Sequence, residues 1–331
     1  MKRVAVYFDA PGRVSVHEEP MPEIKPGRVL VKTLLSAVSS GTELLFYRGE
    51  VPEDIPVDET IPALRRPFAY PVKYGYAAVG RVVETGQLVF AFNPHESYFS
   101  ASPDDLVPVP EGLSPDKAVF LAGLQTVLNF LVDGKPQGGE TAVVLGQGVP
   151  GLLTTALLSQ LGLKKLVTFD RHEKRRERSL KFGAGASLDP ERHDAWLKFD
   201  ELIGKRGLDE GADLVYELTG NPEALGRALA CASCDGRVIV GSWYGSKPVT
   251  LNLGGRFHRS RIKLINSQVS SLCSKVNMSA RDCLNICLGK AAELDLPSLI
   301  SHRFPLAQAK QAYELLDERP GEALQVVFTY E

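Results

Sequence analysis

The 331-residue chain is poor in the features that mark a specialised environment. Its five cysteines, an odd and sparse set, cannot make a disulfide framework, so a reducing compartment is expected. Its formal net charge is only −2, which leaves no field to gather nucleic acid or an anionic lipid surface, and neither is expected as a partner. The segment nearest to a membrane span, Thr141 to Leu163, carries no charge but is broken by glycines and a proline in a strand-turn-helix pattern. The opening MKRVAVYFDAPGRVSVHEEP lacks the apolar centre of a signal peptide and reads as a hairpin, which makes the cytoplasm the expected location. Internal repeats and low-complexity tracts are missing as well.

What is present is a change of texture along the chain. The length and an ordinary share of apolar and charged residues, 44% and 24%, allow two domains with sizeable cores. Up to about residue 115 the chain reads as short strands, such as RVLVKTLLSAVSS and GRVVETGQLVFAF, between segments rich in Pro, Gly and Asp. One of these, VPEDIPVDETIPALRRP, is long for a loop, and loops of that length often line a site. From Ser114, SPDKAVFLAGLQTVLNFLV predicts a helix with a serine N-cap and Pro115 at its first position. TAVVLG, KLVTFD, ADLVYELTG, GRVIVGSW and IKLINSQVS then alternate with amphipathic segments, as in a parallel sheet covered on both faces. The tail reads as helix then strand, and its strand could rejoin the first domain.

The first of those strands runs into a glycine turn. Gly146, Gly148 and Gly151 form G-x-G-x-x-G between a strand and a helix. The first glycine permits a tight turn, the second admits a pyrophosphate to the backbone, and the third lets helix pack on strand. The next strand ends in Asp170, 19 residues after Gly151, where an acid would bind the adenosine ribose diol. Asp170 should repel a 2′-phosphate and so favours NAD; Arg171 and Arg175 follow closely, which leaves NADP possible.

Together these features resemble the medium-chain dehydrogenase/reductase superfamily over essentially the whole chain. SSGTELLFYRG is similar to the family segment C-G-[ST]-D-x-H-x-Y-x-G, and YPVKYGYAAVGRVVETG to P-x-x-x-G-H-E-x-x-G-x-V-x-x-x-G. SSGTE, GYAAVGRV, FHRSRIKLINSQVS and ISHRFPLAQAKQAYELL more narrowly resemble the branch containing bacteriochlorophyllide a dehydrogenase. The resemblance implies an α/β protein with a GroES-like β-rich catalytic domain over residues 1–116 and 292–331. A Rossmann doubly wound parallel-sheet domain would occupy residues 117–291. It also shows what has changed. Where zinc-dependent relatives carry Cys, His and Glu, this chain has Ser40, Tyr76 and Ala77, and near a later ligand position stands Ala122. Such a set cannot supply the three or so N, S or O ligands of a catalytic zinc. The four-cysteine structural zinc lobe is missing too, its place taken by FNPHESYFSASPDDLVPVP. Cys231 and Cys234 form C-x-x-C, Cys283 and Cys287 lie one helical turn apart, and Cys273 stands alone; all are expected to be small buried thiols. No metal is expected.

Without zinc, hydrogen-bond donors must stabilise charge on a substrate oxygen. Tyr76 stands at a ligand-histidine position, Thr42 matches the hydroxyl that relays a proton in the family, and Ser40 adds a third on the same loop. The competing reading makes Tyr76 a core phenol and the two hydroxyls turn caps. Glu43 is expected to be a supporting acid. His95 follows a strand and is a candidate base or relay facing a cleft. Val149 in the glycine turn and Thr219, Gly241, Ser242 and Gln268 near strand ends are expected around the cofactor. His258 and Arg259 are candidates for a cofactor or carboxylate contact, against a plainly solvated charged run. The expected function is a zinc-independent, NAD(P)-dependent oxidoreductase acting on a small-molecule secondary alcohol or ketone. The alternatives are an NADPH-dependent quinone or enoyl reductase, or a non-catalytic dinucleotide-binding protein. A homodimer is expected by resemblance, through the apolar edge near IKLINSQVS.

Overall fold

Alternating apolar and polar residues in the first hundred positions form half-buried strands in the computed structural model, which describes residues 2–59, 61–204, 207, 210–269 and 279–331. β1 (Lys2–Ala10) and β2 (Arg13–Pro20) make the antiparallel hairpin expected at the start. β3 (Val29–Ala37) leads into α1 (Ser40–Arg48), and β4 (Ala78–Val82) pairs antiparallel with both β3 and β5 (Leu88–Ala91). β6 (Tyr98–Ala101) pairs with β3, and β7 (Leu106–Pro108) with β5. The helix expected from Ser114 is two pieces, α2 (Pro115–Ala118) and α3 (Leu121–Gly134). The break lets Ala118 to Ala122 all be buried, which one face of a straight helix cannot do.

The Val/Leu/Ile-dense segments that follow are strands. β8 (Thr141–Leu145) is buried at every position, as a strand covered on both faces must be. After it come α4 (Val149–Leu158), β9 (Lys165–Phe169), α5 (Glu173–Lys181), β10 (Ala186–Leu188) and α6 (Ala195–Ile203). β11 (Ala212–Glu217), α7 (Pro222–Cys231), β12 (Ala232–Val240) and β13 (Lys263–Asn266) complete the series. All six strands are parallel, in the order β10-β9-β8-β11-β12-β13. The order reverses between β8 and β11, which is where open α/β sheets bind ligands.

α8 (Ala280–Glu293), β14 (Ile300–Pro305), α9 (Ala309–Glu318) and β15 (Gln325–Thr329) bring the tail home. β15 pairs antiparallel with β3 and parallel with β14, completing the mixed sheet to which β3 belongs. The chain divides into two compact units, Met1–Ala122 with Ala280–Glu331, and Gly123–Ser279. The first core gathers Phe8, Phe46, Tyr313 and Phe328; the second gathers Phe169, Phe199, Val215 and Val238. Among the described residues no helix is long and apolar enough to cross a membrane.

The thiols are not all buried. Cys231, Cys283 and Cys287 are, but Cys234 is exposed, in the stretch between Ala232 and Arg237 where the ladder of β12 with β11 shifts register; Cys273 lies outside the described residues. Phe328, fully buried on β15 against the rings of His95 and Tyr313, couples the tail to the first core. Phe328→Ala is expected to cost about 3–5 kcal/mol, read as a lowered midpoint in urea denaturation.

Candidate functional site

In the first unit the ladder between β3 and β4 sets the geometry. Ser36 lies opposite Ala78, and Ala37 N–H donates to Ala77 O at 2.9 Å. The pairing brings Tyr76, just before β4, to the start of α1. There the Tyr76 phenol shares a hydrogen bond with the Ser39 hydroxyl, and the Thr42 hydroxyl lies near enough to act on it. The ring is half-buried and meets Tyr74 edge-on, with centroids 6.0 Å apart. Burial raises the phenol above its ordinary value; the Ser39 bond and the nearby Thr42 hydroxyl pull it back, and the Glu43 and Asp58 carboxylates push it up. Of the hydroxyls expected at this place, Thr42 is present, whereas the serine on the phenol is Ser39, one residue before Ser40.

Glu43, on α1, is fully buried. Its Oε1 accepts from Ser39 N–H at 2.7 Å, and its Oε2 accepts from His95 Nε2 at 3.0 Å and from Tyr313 O–H at 2.5 Å. His95 Nδ1 lies 2.7 Å from Ser36 Oγ, which lies 2.7 Å from the Tyr330 phenol. The expectation that His95 faces a cleft is therefore corrected. Its ring is fully enclosed, both nitrogens are taken, and Gly75 presses so close that an added Cβ would lie 2.7 Å from the imidazole. Ser39, Ser36, Tyr313 and Tyr330 escaped the sequence reading. The residue types carried no signal, and only tertiary folding brings them together.

In the second unit, the glycine turn stands at the order reversal after β8. Gly146 has φ +90°, and a Cβ on Gly151 would fall 1.9 Å from Gly146 O, so helix α4 closes directly on the turn. Beside Gly148 the nearest atom to an added Cβ is Arg175 Nη1 at 4.0 Å, which leaves an approach to the backbone. Val149 opens α4. The buried Asp170 carboxylate accepts from Gln147 N–H at 2.7 Å and from His172 N–H at 2.8 Å, with Arg175 Nη1 at 3.9 Å. Burial lowers the Arg175 guanidinium from its ordinary value. Arg171 lies at the surface, its Nε donating to His172 Nε2 at 3.2 Å.

A second set collects at the ends of β11 and β12. Glu217, fully buried, accepts from Thr219 N–H at 2.8 Å, from the Thr219 hydroxyl, and from Tyr244 O–H at 2.5 Å. Gly241 N–H donates to Glu217 O at 3.0 Å, and Ser242 Oγ accepts from Gly220 N–H at 2.9 Å. Thr219, Gly241 and Ser242 are thus one cluster, built on an acid that the sequence reading passed over. Gln268 is exposed two residues beyond β13, and His258 and Arg259 are exposed.

These groups fit a dinucleotide. The turn is open at Gly148, and each Asp170 oxygen keeps a lone pair for a ribose hydroxyl. They do not fit zinc: Ser40, Tyr76, Ala77 and Ala122 offer one hydroxyl and one phenol. Among the described residues no three His, Cys, Asp or Glu side chains converge to hold a metal ion.

The family model for zinc-binding dehydrogenases matches residues 150–280. L-threonine 3-dehydrogenase of Bacillus subtilis (strain 168) is 29% identical over 240 residues, 70% of this chain; the chain spans 62% of that relative. An alcohol dehydrogenase from Escherichia coli CFT073 complexed with NADH shares the fold at TM-score 0.79 and 18% identity, over 99% of each chain. So does a protein from Sinorhizobium meliloti 1021 bound to NADP, at TM-score 0.78 and 21% identity, again over 99% of each chain. Gly151→Ala should open the turn and weaken NADH binding about tenfold or more in a fluorescence titration; unchanged affinity would show that the turn is not the phosphate cradle.

Proposed function

We propose that this chain, an NAD(P)-dependent oxidoreductase of the zinc-binding dehydrogenase type, moves hydride between its nicotinamide and a secondary alcohol or ketone without a catalytic zinc. The observation that carries the reading is the hydroxyl set of Tyr76, Ser39 and Thr42 in the segments where zinc relatives hold their ligands. The narrower likeness to the branch containing bacteriochlorophyllide a dehydrogenase belongs to this proposal and leaves the substrate open.

When bound, the nicotinamide gives or takes the hydride. Tyr76 does the rest of the chemistry on the substrate oxygen. With its ionisation pushed above the ordinary value, the phenol is protonated at neutral pH and can donate to an oxygen gaining negative charge. Thr42 and Ser39 then hydrogen-bond the phenolate left behind. Oxidation of an alcohol needs that phenolate at the outset, so it gains from alkaline pH, while ketone reduction falls off only above the phenol's raised ionisation. Asp170 favours NAD, since its carboxylate repels a 2′-phosphate and Arg175 lies against it rather than apart. The protein is also read as a homodimer. β13 has one neighbour among the described residues, and Leu264 on it is 38% exposed, an edge that pairing would cover.

Tyr76→Phe is expected to lower kcat by about 10²–10⁴ while NADH affinity holds, in an NAD(H)-coupled screen of secondary alcohols and ketones run with a metal chelator. Wild-type turnover in that variant would remove Tyr76 from the mechanism, and loss of wild-type activity to the chelator would restore a metal. Asp170→Asn should shift the preference between NADH and NADPH toward NADPH by about tenfold, measured as the ratio of kcat/KM. A wild-type preference for NADPH would instead favour a quinone or enoyl reductase.

A further inference from the structure

An N-cap serine ordinarily turns its hydroxyl back to accept an N–H from the first turn of its helix. Ser39 holds the N-cap position of α1, with φ −86° and ψ 85°, but makes no such bond. Its hydroxyl goes instead to the Tyr76 phenol. The backbone there is tied by other means: Ser39 N–H donates to Glu43 Oε1 at 2.7 Å, and Glu43 is fixed by His95 Nε2 at 3.0 Å and Tyr313 O–H at 2.5 Å. Glu43, His95 and Tyr313 are all fully buried, so the brace has little freedom to relax.

We infer that Ser39 is a positioning residue of the reaction, its hydroxyl directing the Tyr76 O–H and supporting the phenolate, and that the Glu43 brace holds Ser39 in place. The inference rests on the role given to Tyr76 above. In ketone reduction the Tyr76 O–H bond breaks as a new O–H bond forms on the substrate oxygen; the hydride that the carbonyl carbon gains is what a bound dihydronicotinamide would supply. The negative charge passes to the phenol oxygen, where a hydrogen bond from Ser39 is strengthened because its acceptor is now an anion. The groups that act on that oxygen include the hydroxyls of Ser39, which is hydrogen-bonded to it, and Thr42, and the carboxylates of Glu43 and Asp58; the Tyr74 ring meets the Tyr76 ring at a right angle. The two carboxylates oppose the phenolate and the two hydroxyls favour it, so the loss of one hydroxyl should be felt.

The test compares the wild type, Ser39→Ala and Ser39→Thr, each with and without Tyr76→Phe, in the full chain. Tyrosinate ultraviolet absorbance is titrated for each Ser39 variant against its Tyr76→Phe partner, a difference that isolates Tyr76 and requires no substrate. Ser39→Ala should make Tyr76 ionise about tenfold less readily, moving its midpoint alkaline, and Ser39→Thr should return it. Reduction of acetophenone and 2-butanone with NADH should fall about 10–100-fold in kcat in Ser39→Ala, with NADH affinity kept. In the Tyr76→Phe background the same change should cost nothing more. An unmoved Tyr76 midpoint, or an additive loss in the double variant, overturns the inference. So does a loss that follows melting temperature and is recovered by Ser39→Asn, which would leave Ser39 as a helix cap only. If Tyr76→Phe alone keeps full turnover, the parent reading fails; if only the Ser39 effects are missing, the parent reading stands and this one falls.

Discussion

A carboxylate removed from water must be met by donors on every side, and Glu43 is the place where the first unit meets that demand. Its three donors come from the cap of its own helix, from the segment after β5 and from α9. Residues 43, 95 and 313 are far apart in the chain, so the charge can be satisfied only when the tail has folded back. Removing one partner from such a buried site typically costs about 3–5 kcal/mol, because the charge that remains has nowhere to go. The same set of bonds fixes the start of α1, and with it the hydroxyls of Ser39 and Thr42 around Tyr76. Structure and proposed chemistry therefore depend on one acid.

The second unit repeats the device at the mouths of its parallel strands. Asp170 follows β9 and takes backbone N–H groups from the glycine turn and from the entrance to α5. Glu217 ends β11 and takes the N–H and hydroxyl of Thr219. In each case an acid takes up the amides of a turn, and a turn held in that way is ready for a phosphate or a ribose. The glycines supply the complementary condition, since any side chain at Gly151 would strike the carbonyl of Gly146.

On the proposed reading, the exchange of a metal for hydroxyls changes what controls the reaction. A metal ion stabilises an alkoxide with fixed charge, whereas a phenol does so by lending a proton, and its readiness depends on burial and on its neighbours. Around Tyr76 those influences are opposed: burial and two carboxylates hold the proton on, and two hydroxyls ease it off. The reading thus ties direction of turnover to pH more closely than a metal site would.

The glycine turn, Asp170, the parallel strands and the returning tail could all be read from residue order, because each depends on local pattern and spacing. β10 could not: it is three half-buried residues without a run of apolar side chains. Nor could the break after Ala118, which answers to burial on several sides at once. The types of residue around the phenol were determined by the sequence, down to a serine beside Thr42. Which serine reaches Tyr76 was decided by the ladder between β3 and β4 and by the angle at which α1 begins. Whether His95 meets substrate or supports Glu43 was likewise a tertiary matter. A side chain's neighbours across the fold determine what it can touch, and spacing along the chain carries no record of them.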